Sequence, residues 1–314
     1  MCEYRLCFVG IGSIAKRHIR NVIKYSVKNR IQVRIDVLRS GKGTELEKEI
    51  EALIDNVYYD INEVKDSHYD AVFITCYTSE HAAMLKKLSS TTNAFFIEKP
   101  VFHTSKVELS EINYDRNKIY YIACPLRYSR TIRFLKENID FSKVINIRVT
   151  SASFLPDWRK GDYRNSYSAK KEYGGGVSID LIHEWDYITY LIGFPISTTK
   201  VMKKVSNLEI NCEDIAIYIG NYENKIVELH LDYFSRIPFR EIILVMNDEL
   251  VKADLLTGKI EYLVNKKIID LKEERNDIYI EEIKNFFDIM EGKKENFNDI
   301  KRAMKTLKLA EGIV

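Results

Sequence analysis

Apolar positions in the first third of the chain fall into short, nearly continuous runs, each separated from the next by a polar or amphipathic stretch. YRLCFVG (4–10), IQVRIDVL (31–38), DAVFIT (70–75), NAFFIE (93–98) and KIYYIAC (118–124) are such runs, the pattern of strands buried on both faces of a parallel sheet. Between them, Ser13 to about Tyr25, TELEKEIEAL (44–53) and SEHAAMLKKL (79–88) have helical period. Strands alternating with helices at this interval predict right-handed crossovers and a doubly wound sheet. Beyond Tyr128 the pattern changes. One helix, SRTIRFLKEN (129–138), precedes long strand-like segments: KVINIRVTSASF, DIAIYIGNY, KIVELHLDYF, REIILVM and DELVKADLL. Short turns between most of these predict a large, open, mostly antiparallel sheet. Helices over 278–290 and 300–310 close the chain. The expected fold is therefore α/β, a Rossmann domain over 1–125 followed by an α+β domain over 126–314 for substrate binding and self-association.

Composition narrows the function. The 314 residues carry 48 basic and 46 acidic side chains, a net +2, which argues against nucleic acid as the main partner. No apolar stretch is long enough to span a bilayer, and MCEYRLCFVGIG has no signal-peptide pattern. Cys2, Cys7, Cys76, Cys124 and Cys212 are scattered and odd in number, which fits reduced thiols in a cytoplasm and no metal site. The open sheet invites a homo-oligomer, dimer or tetramer.

FVGIGSIAKRH places Gly10-x-Gly12-x-x-Ala15 between a strand and a helix. Gly10 permits the tight turn, Gly12 lets backbone approach a pyrophosphate, and Ala15 lets the helix lie close to the sheet. Ser13 and Ile14 open the helix whose N–H groups would face the phosphates. The end of the second strand selects the dinucleotide. Asp36 stands about where an acid would bind a ribose hydroxyl, but the strand continues into Arg39-Ser40-Gly41-Lys42. Two cations and a hydroxyl suit a 2′-phosphate, so NADP(H) is favoured over NAD(H). Glu98-Lys99-Pro100 ends an apolar strand where open α/β sheets bind ligands. Lys99 could share in proton transfer there, and Pro100 could hold it through a cis bond.

Three glycines, Gly174-Gly175-Gly176, precede a segment of helical spacing carrying Asp180 and His183. Ordered glycines are costly, so they mark a place where backbone passes close to something. Three apart on one helix, Asp180 and His183 would share a face. They form either a proton-handling pair or a satisfied core pair.

Together GIGSIAKRH (10–18), TSEH (78–81), EKP (98–100), GGGVSIDLIHEWD (174–186) and HLDYFSRIPFR (230–240) resemble the Gfo/Idh/MocA oxidoreductases over nearly the whole chain. The resemblance implies that His183 is general acid/base for a substrate hydroxyl. It implies further that Lys99 polarises that oxygen, that Asp180 orients the pair, and that Thr78, Ser79 and His81 border the cofactor beside Glu98. With these roles the glycines would admit substrate and nicotinamide near the helix start. Three departures stand out: an Asp–His spacing of three instead of four, Cys76-Tyr77 where Asn or Pro is usual, and Arg39-Ser40 in place of an acidic strand end.

The substrate class is read from SFLPDWRKGDYRNSYSAKKEYGGG (153–176) and from Arg127. Trp158 and Tyr163 offer aromatic faces to a sugar, and Arg127, Arg159 and Arg164 offer forks to a carboxylate or phosphate. The loop resembles those of relatives in bacterial surface-carbohydrate pathways, implying an acidic or nucleotide-linked sugar. Rival readings are a non-catalytic NAD(P)-sensing regulator and a glycoside hydrolase using tightly held NAD.

Overall fold

A computed structural model describes residues 3–41 and 45–313. Cys2, Lys42 and Thr44, which entered the expectations above, lie outside these. The strands of the first third are β1 (Glu3–Val9), β2 (Gln32–Leu38), β3 (Asn56–Tyr58), β4 (Ala71–Ile74), β5 (Ala94–Ile97) and β6 (Ile119–Ile122). Helices α1 (Ser13–Asn29), α2 (Lys48–Glu51) and α3 (His81–Lys87) intervene. The chain continues through α4 (Arg130–Asn138), β7 (Val144–Phe154), α5 (Val177–Asp180), α6 (His183–Ile192), β8 (Ser197–Lys203), β9 (Ile215–Tyr222) and β10 (Lys225–Asp232). It ends with β11 (Phe234–Met246), β12 (Leu250–Asp254), β13 (Lys259–Tyr262), β14 (Lys267–Asp270), α7 (Asp277–Met290) and α8 (Ile300–Glu311).

The chain forms two compact units: Met1–Cys124 with Tyr279–Met304, and Pro125–Ile278 with Lys305–Val314. In the first, six strands run in the order β3-β2-β1-β4-β5-β6, all parallel. The order reverses at β1/β4, where such sheets bind ligands beyond their carboxyl ends. Phe8, Phe73 and Phe96 stack across three adjacent strands, with centroids 4.3 and 4.8 Å apart. Residues 279–304 complete this unit, whereas the sequence placed everything after 126 in the second. The reason is apolar. Ile283, Phe286, Phe287 and Ile289 of α7 are buried among the strand and α1 side chains, each large ring contributing about 1.5–3 kcal/mol. Glu282 of the same helix accepts the Cys124 N–H at 2.6 Å. A second difference is α2, four residues long where the period predicted ten.

The second unit has eight strands in the order β14-β13-β12-β11-β7-β10-β9-β8, antiparallel except for the β7–β10 pair. Burial alternates along β9, the period-2 signature of a sheet covered on one face. Gly220 in β9 leaves room for Trp185 of α6, whose ring also meets Tyr218 edge-on at 5.5 Å. The other face of β9 exposes Ile217 and Ile219. Among the described residues no helix is long and apolar enough to cross a membrane.

Candidate active site

At the β1/β4 switch point two turns are pressed together. Gly10 has φ +87°, and a Cβ there would lie 2.8 Å from the Cα of Cys76. The Thr75 hydroxyl joins the turns, with 3.0 Å separations to the Val9 and Gly10 carbonyls. Gly12 differs. Its φ of −71° and ψ of −176° suit any residue, and a Cβ there would meet nothing within 4 Å. Neither backbone nor protein neighbours demand glycine at this position, so the open space lies in front of α1. The first turn of that helix has neither a side-chain cap nor an acidic residue. Ser13 is exposed, Ile14 half-buried, and Ala15 buried against the sheet. An uncapped helix start presents N–H groups and the positive end of the dipole to an anion. The geometry fits a pyrophosphate.

Asp36 is withdrawn from this surface, with 1% of its area exposed. Its Oδ1 accepts from Asn56 at 2.8 Å, and its Oδ2 from Arg5 and from the Tyr69 hydroxyl, each at 2.9 Å. The carboxylate thus joins β2 to its neighbours from inside. Arg39, half-exposed, and Ser40, exposed, follow the strand end, and the Arg39 N–H donates to Tyr58 O at 2.9 Å.

Thr78 and Ser79 lie in a 3₁₀ turn after β4, half-buried and exposed. His81, expected at the cofactor border, is interior instead. Its Nδ1 faces the Val101 carbonyl at 3.1 Å and its Nε2 the Cys76 carbonyl at 3.3 Å. It therefore fixes the β4 turn against the segment following Lys99. Burial holds its pKa below the ordinary 6.5, against the opposing pull of the two carbonyls. The unfolded chain takes up a proton near 6.5 that folded His81 resists, so this contribution is complete above that pH and falls on acidification. Denaturation midpoints measured between about pH 7.5 and 5 should fall more steeply for the wild type than for His81→Asn. Parallel slopes would exclude this coupling.

Glu98 and Lys99 follow β5, both half-buried, and the Lys99–Pro100 bond is cis. The Glu98 carboxylate is held from two sides. Its Oε1 meets Nε2 of buried His18, on α1, at 2.6 Å, and its Oε2 accepts the Lys99 N–H at 3.3 Å. The helix that starts at the phosphate turn is therefore strapped to the main chain of Lys99.

In the second unit Gly175 and Gly176 close onto protein, which corrects the expectation that the glycines admit ligand at these two positions. A Cβ on Gly175 would clash with the Tyr167, Lys170 and Ser168 carbonyls, the last two at 2.7 and 2.8 Å. Gly176 has φ +122°, and its Cβ would strike the Glu213 carboxylate. That carboxylate instead accepts from the Ser178 hydroxyl at 2.5 Å. Asp180 and His183 do not share a helix face. Asp180 ends α5, Leu181 leaves helical conformation at ψ 33°, and His183 starts α6. The Ile182 N–H turns to the Ile179 carbonyl at 3.3 Å, which tightens the break.

Asp180 is buried and accepts three hydroxyls: Tyr167 at 3.0 Å, Ser168 at 2.6 Å and Tyr233 at 3.1 Å. Burial, aided by the Asp180 charge, holds the Tyr233 phenol well above its ordinary pKa, so it remains a donor. Tyr233 is placed by the β10–β11 connection. There Asp232 accepts the Phe234 and Ser235 N–H groups at 3.1 and 2.8 Å. His183 is half-buried, while Trp185, Tyr187 and Ile188 anchor its helix.

The substrate candidates separate. Arg127 is buried and grips Asp186 with Nε and NH2 at 2.8 and 2.6 Å, so this edge of its fork is committed inside the unit. Arg164 is likewise engaged by Asp162 and Glu209, and the Tyr163 hydroxyl accepts the Glu209 N–H at 3.0 Å. Trp158 donates to Ser153 at 2.9 Å and meets the Tyr233 ring edge-on at 5.2 Å. Arg159 reaches Ser168 and Tyr167, the residues that hold Asp180.

His18, Ser168 and Tyr233 are the site residues not singled out by pattern. Each stood inside a quoted motif or loop, and for the hydroxyls the available signal was a buried carboxylate that required donors.

Two family descriptions match the chain: "Oxidoreductase family, NAD-binding Rossmann fold" over residues 4–114, and "Oxidoreductase family, C-terminal alpha/beta domain" over 136–236. The scyllo-inositol 2-dehydrogenase (NAD(+)) of Bacillus subtilis (strain 168) is 26% identical over 211 residues, 65% of this chain and 58% of that protein. The alignment therefore spans less than two thirds of the relative. Among solved structures, UDP-N-acetylglucosamine 3-dehydrogenase from Acidithiobacillus ferrooxidans is similar at TM-score 0.77 and 18% identity, covering 99% of this chain and 96% of the other. A levoglucosan dehydrogenase in complex with NADH is similar at 0.82 and 14%, with the same coverage. At these identities the structural matches establish the fold. The motifs, the two-unit architecture and the two family matches lead to one conclusion: the chain belongs to the Gfo/Idh/MocA oxidoreductase family.

Proposed function

We propose that this protein is an oxidoreductase that interconverts a hydroxyl and a keto carbon on a sugar or sugar derivative, with NADP(H) preferred over NAD(H). The observation carrying this reading is Gly12, open in front of an uncapped α1 at the β1/β4 switch point. When bound, the nicotinamide supplies the hydride acceptor or donor, and the protein's task is to position substrate and move the proton. His183 takes the hydroxyl proton as the carbonyl forms and returns it in the reverse direction. Lys99 polarises the substrate oxygen, its main chain steadied by Glu98 and His18. Asp180, with its hydroxyl cage, orders the segment 167–168. The sugar-dehydrogenase names of the inositol, UDP-N-acetylglucosamine and levoglucosan relatives support the substrate class, and an acidic or nucleotide-linked sugar of surface-carbohydrate metabolism is its finer form.

The NADP(H) preference rests on Asp36. Both of its oxygens are engaged inside the sheet, leaving Arg39 and Ser40 to meet the 2′ position. Titration with NADPH and with NADH, followed by nicotinamide fluorescence, should show tighter NADPH binding. Arg39→Ala should remove about tenfold or more of that preference. Equal affinities in the wild type would assign no 2′-phosphate site to this strand end.

A further inference from the structure

Of the three candidate arginines, two carry charges already answered by carboxylates, Arg127 by Asp186 and Arg164 by Asp162 and Glu209. Arg159 forms no ion pair among the described residues, yet it is not loose. Its NH1 donates to Ser168 Oγ at 3.2 Å, and its guanidinium carbon lies 4.6 Å from the centre of the Tyr167 ring. Those two residues donate their hydroxyls to Asp180, Ser168 to Oδ2 at 2.6 Å and Tyr167 to Oδ1 at 3.0 Å. Arg159 is thus held one hydroxyl away from a carboxylate assigned to the active site. The nearby Asp162 is turned to Arg164, with three contacts of 2.8–2.9 Å, and leaves Arg159 unneutralised.

Only the NH1 corner of Arg159 is used. Nε and NH2, the edge by which Arg127 grips Asp186, have no partner on Arg159 among the described residues, and the side chain is exposed. That edge presents two parallel N–H groups, the geometry that binds an oxyanion in bidentate fashion. We propose that Arg159 is the specificity-determining residue that reads a carboxylate or phosphate oxyanion on the sugar substrate. This inference rests on the oxidoreductase reading above and adds to it the residue that selects a charged sugar.

The test is calorimetric binding of glucose, glucuronate, glucose 6-phosphate and UDP-glucose to protein saturated with NADP+, for the wild type, Arg159→Gln and Arg159→Lys. Wild type should bind at least one charged sugar about tenfold or more tightly than glucose. Arg159→Gln should bring the ratio of charged-sugar to glucose affinity down toward one, and Arg159→Lys should restore only part of that ratio, since it keeps the charge without the fork. Whether the preferred ligand is glucuronate, the 6-phosphate or the nucleotide sugar separates carboxylate from phosphate. Arg159→Gln should also retain wild-type NADPH affinity, because the residue is assigned to the sugar and not to the dinucleotide. The inference is overturned if no charged sugar exceeds glucose in the wild type, or if the excess survives in Arg159→Gln. Because binding is read without turnover, a charge preference that depends on Arg159 in a protein that oxidises none of these sugars would uphold the anion site and count against the oxidoreductase reading.

Discussion

His183→Ala is expected to lower turnover by about 10²–10⁴-fold, the usual contribution of a positioned acid/base group, while the affinity for NADPH stays as in the wild type. The position of the ring makes the substitution informative. His183 is the first residue of α6, and the residues that anchor the helix, Trp185, Tyr187 and Ile188, come after it and are buried. Alanine therefore removes the imidazole and leaves the helix seated. Steady-state rates with the preferred sugar, paired with a fluorescence titration of NADPH, separate the two effects. A parallel loss of dinucleotide affinity would point to a disturbed fold. Unchanged turnover would remove His183 from the mechanism.

Arg127→Ala should act on stability. The substitution leaves the Asp186 carboxylate buried, about 4% exposed, with its Arg127 partner gone. Breaking one side of such a pair typically costs about 3–5 kcal/mol, because the remaining charge is neither solvated nor compensated. The double replacement Arg127→Leu with Asp186→Leu should lose much less, since no charge is stranded. Denaturant midpoints for the single and double variants check this. If Arg127 instead contacted substrate, the single variant would keep its midpoint and raise KM, and that result would reverse the assignment made from the bidentate geometry.

The fold was legible because its signals are local. Continuous apolar runs followed by helical period announced the parallel sheet, and alternation along segments such as DIAIYIGNY announced the open one. The dinucleotide turn was legible for the same reason: Gly10, Gly12 and Ala15 act within six residues of one another. What escaped depends on distant partners. The meaning of Gly176 is set by Glu213, and that of Arg127 by Asp186, 59 positions away. Asp36 had the spacing of a ribose ligand, but Arg5 and Tyr69 draw it into the sheet. The break between α5 and α6 was hidden because the side-chain spacing of Asp180 and His183 is compatible with one helix as well as with two.

The placement of α7 has a consequence for the order of events on the ribosome. The first unit lacks Phe286 and Phe287 until the chain returns at Tyr279, and all of the 154 residues of Pro125–Ile278 must be made before then. At about 5–20 residues per second, that interval lasts roughly 8–30 s. During it the nascent sheet carries Phe73, Phe96 and Tyr121 without the rings that cover them in the finished protein. The part of the protein synthesised first is thus completed only after most of the second unit has been made. Protection by chaperones matters most while that gap is open.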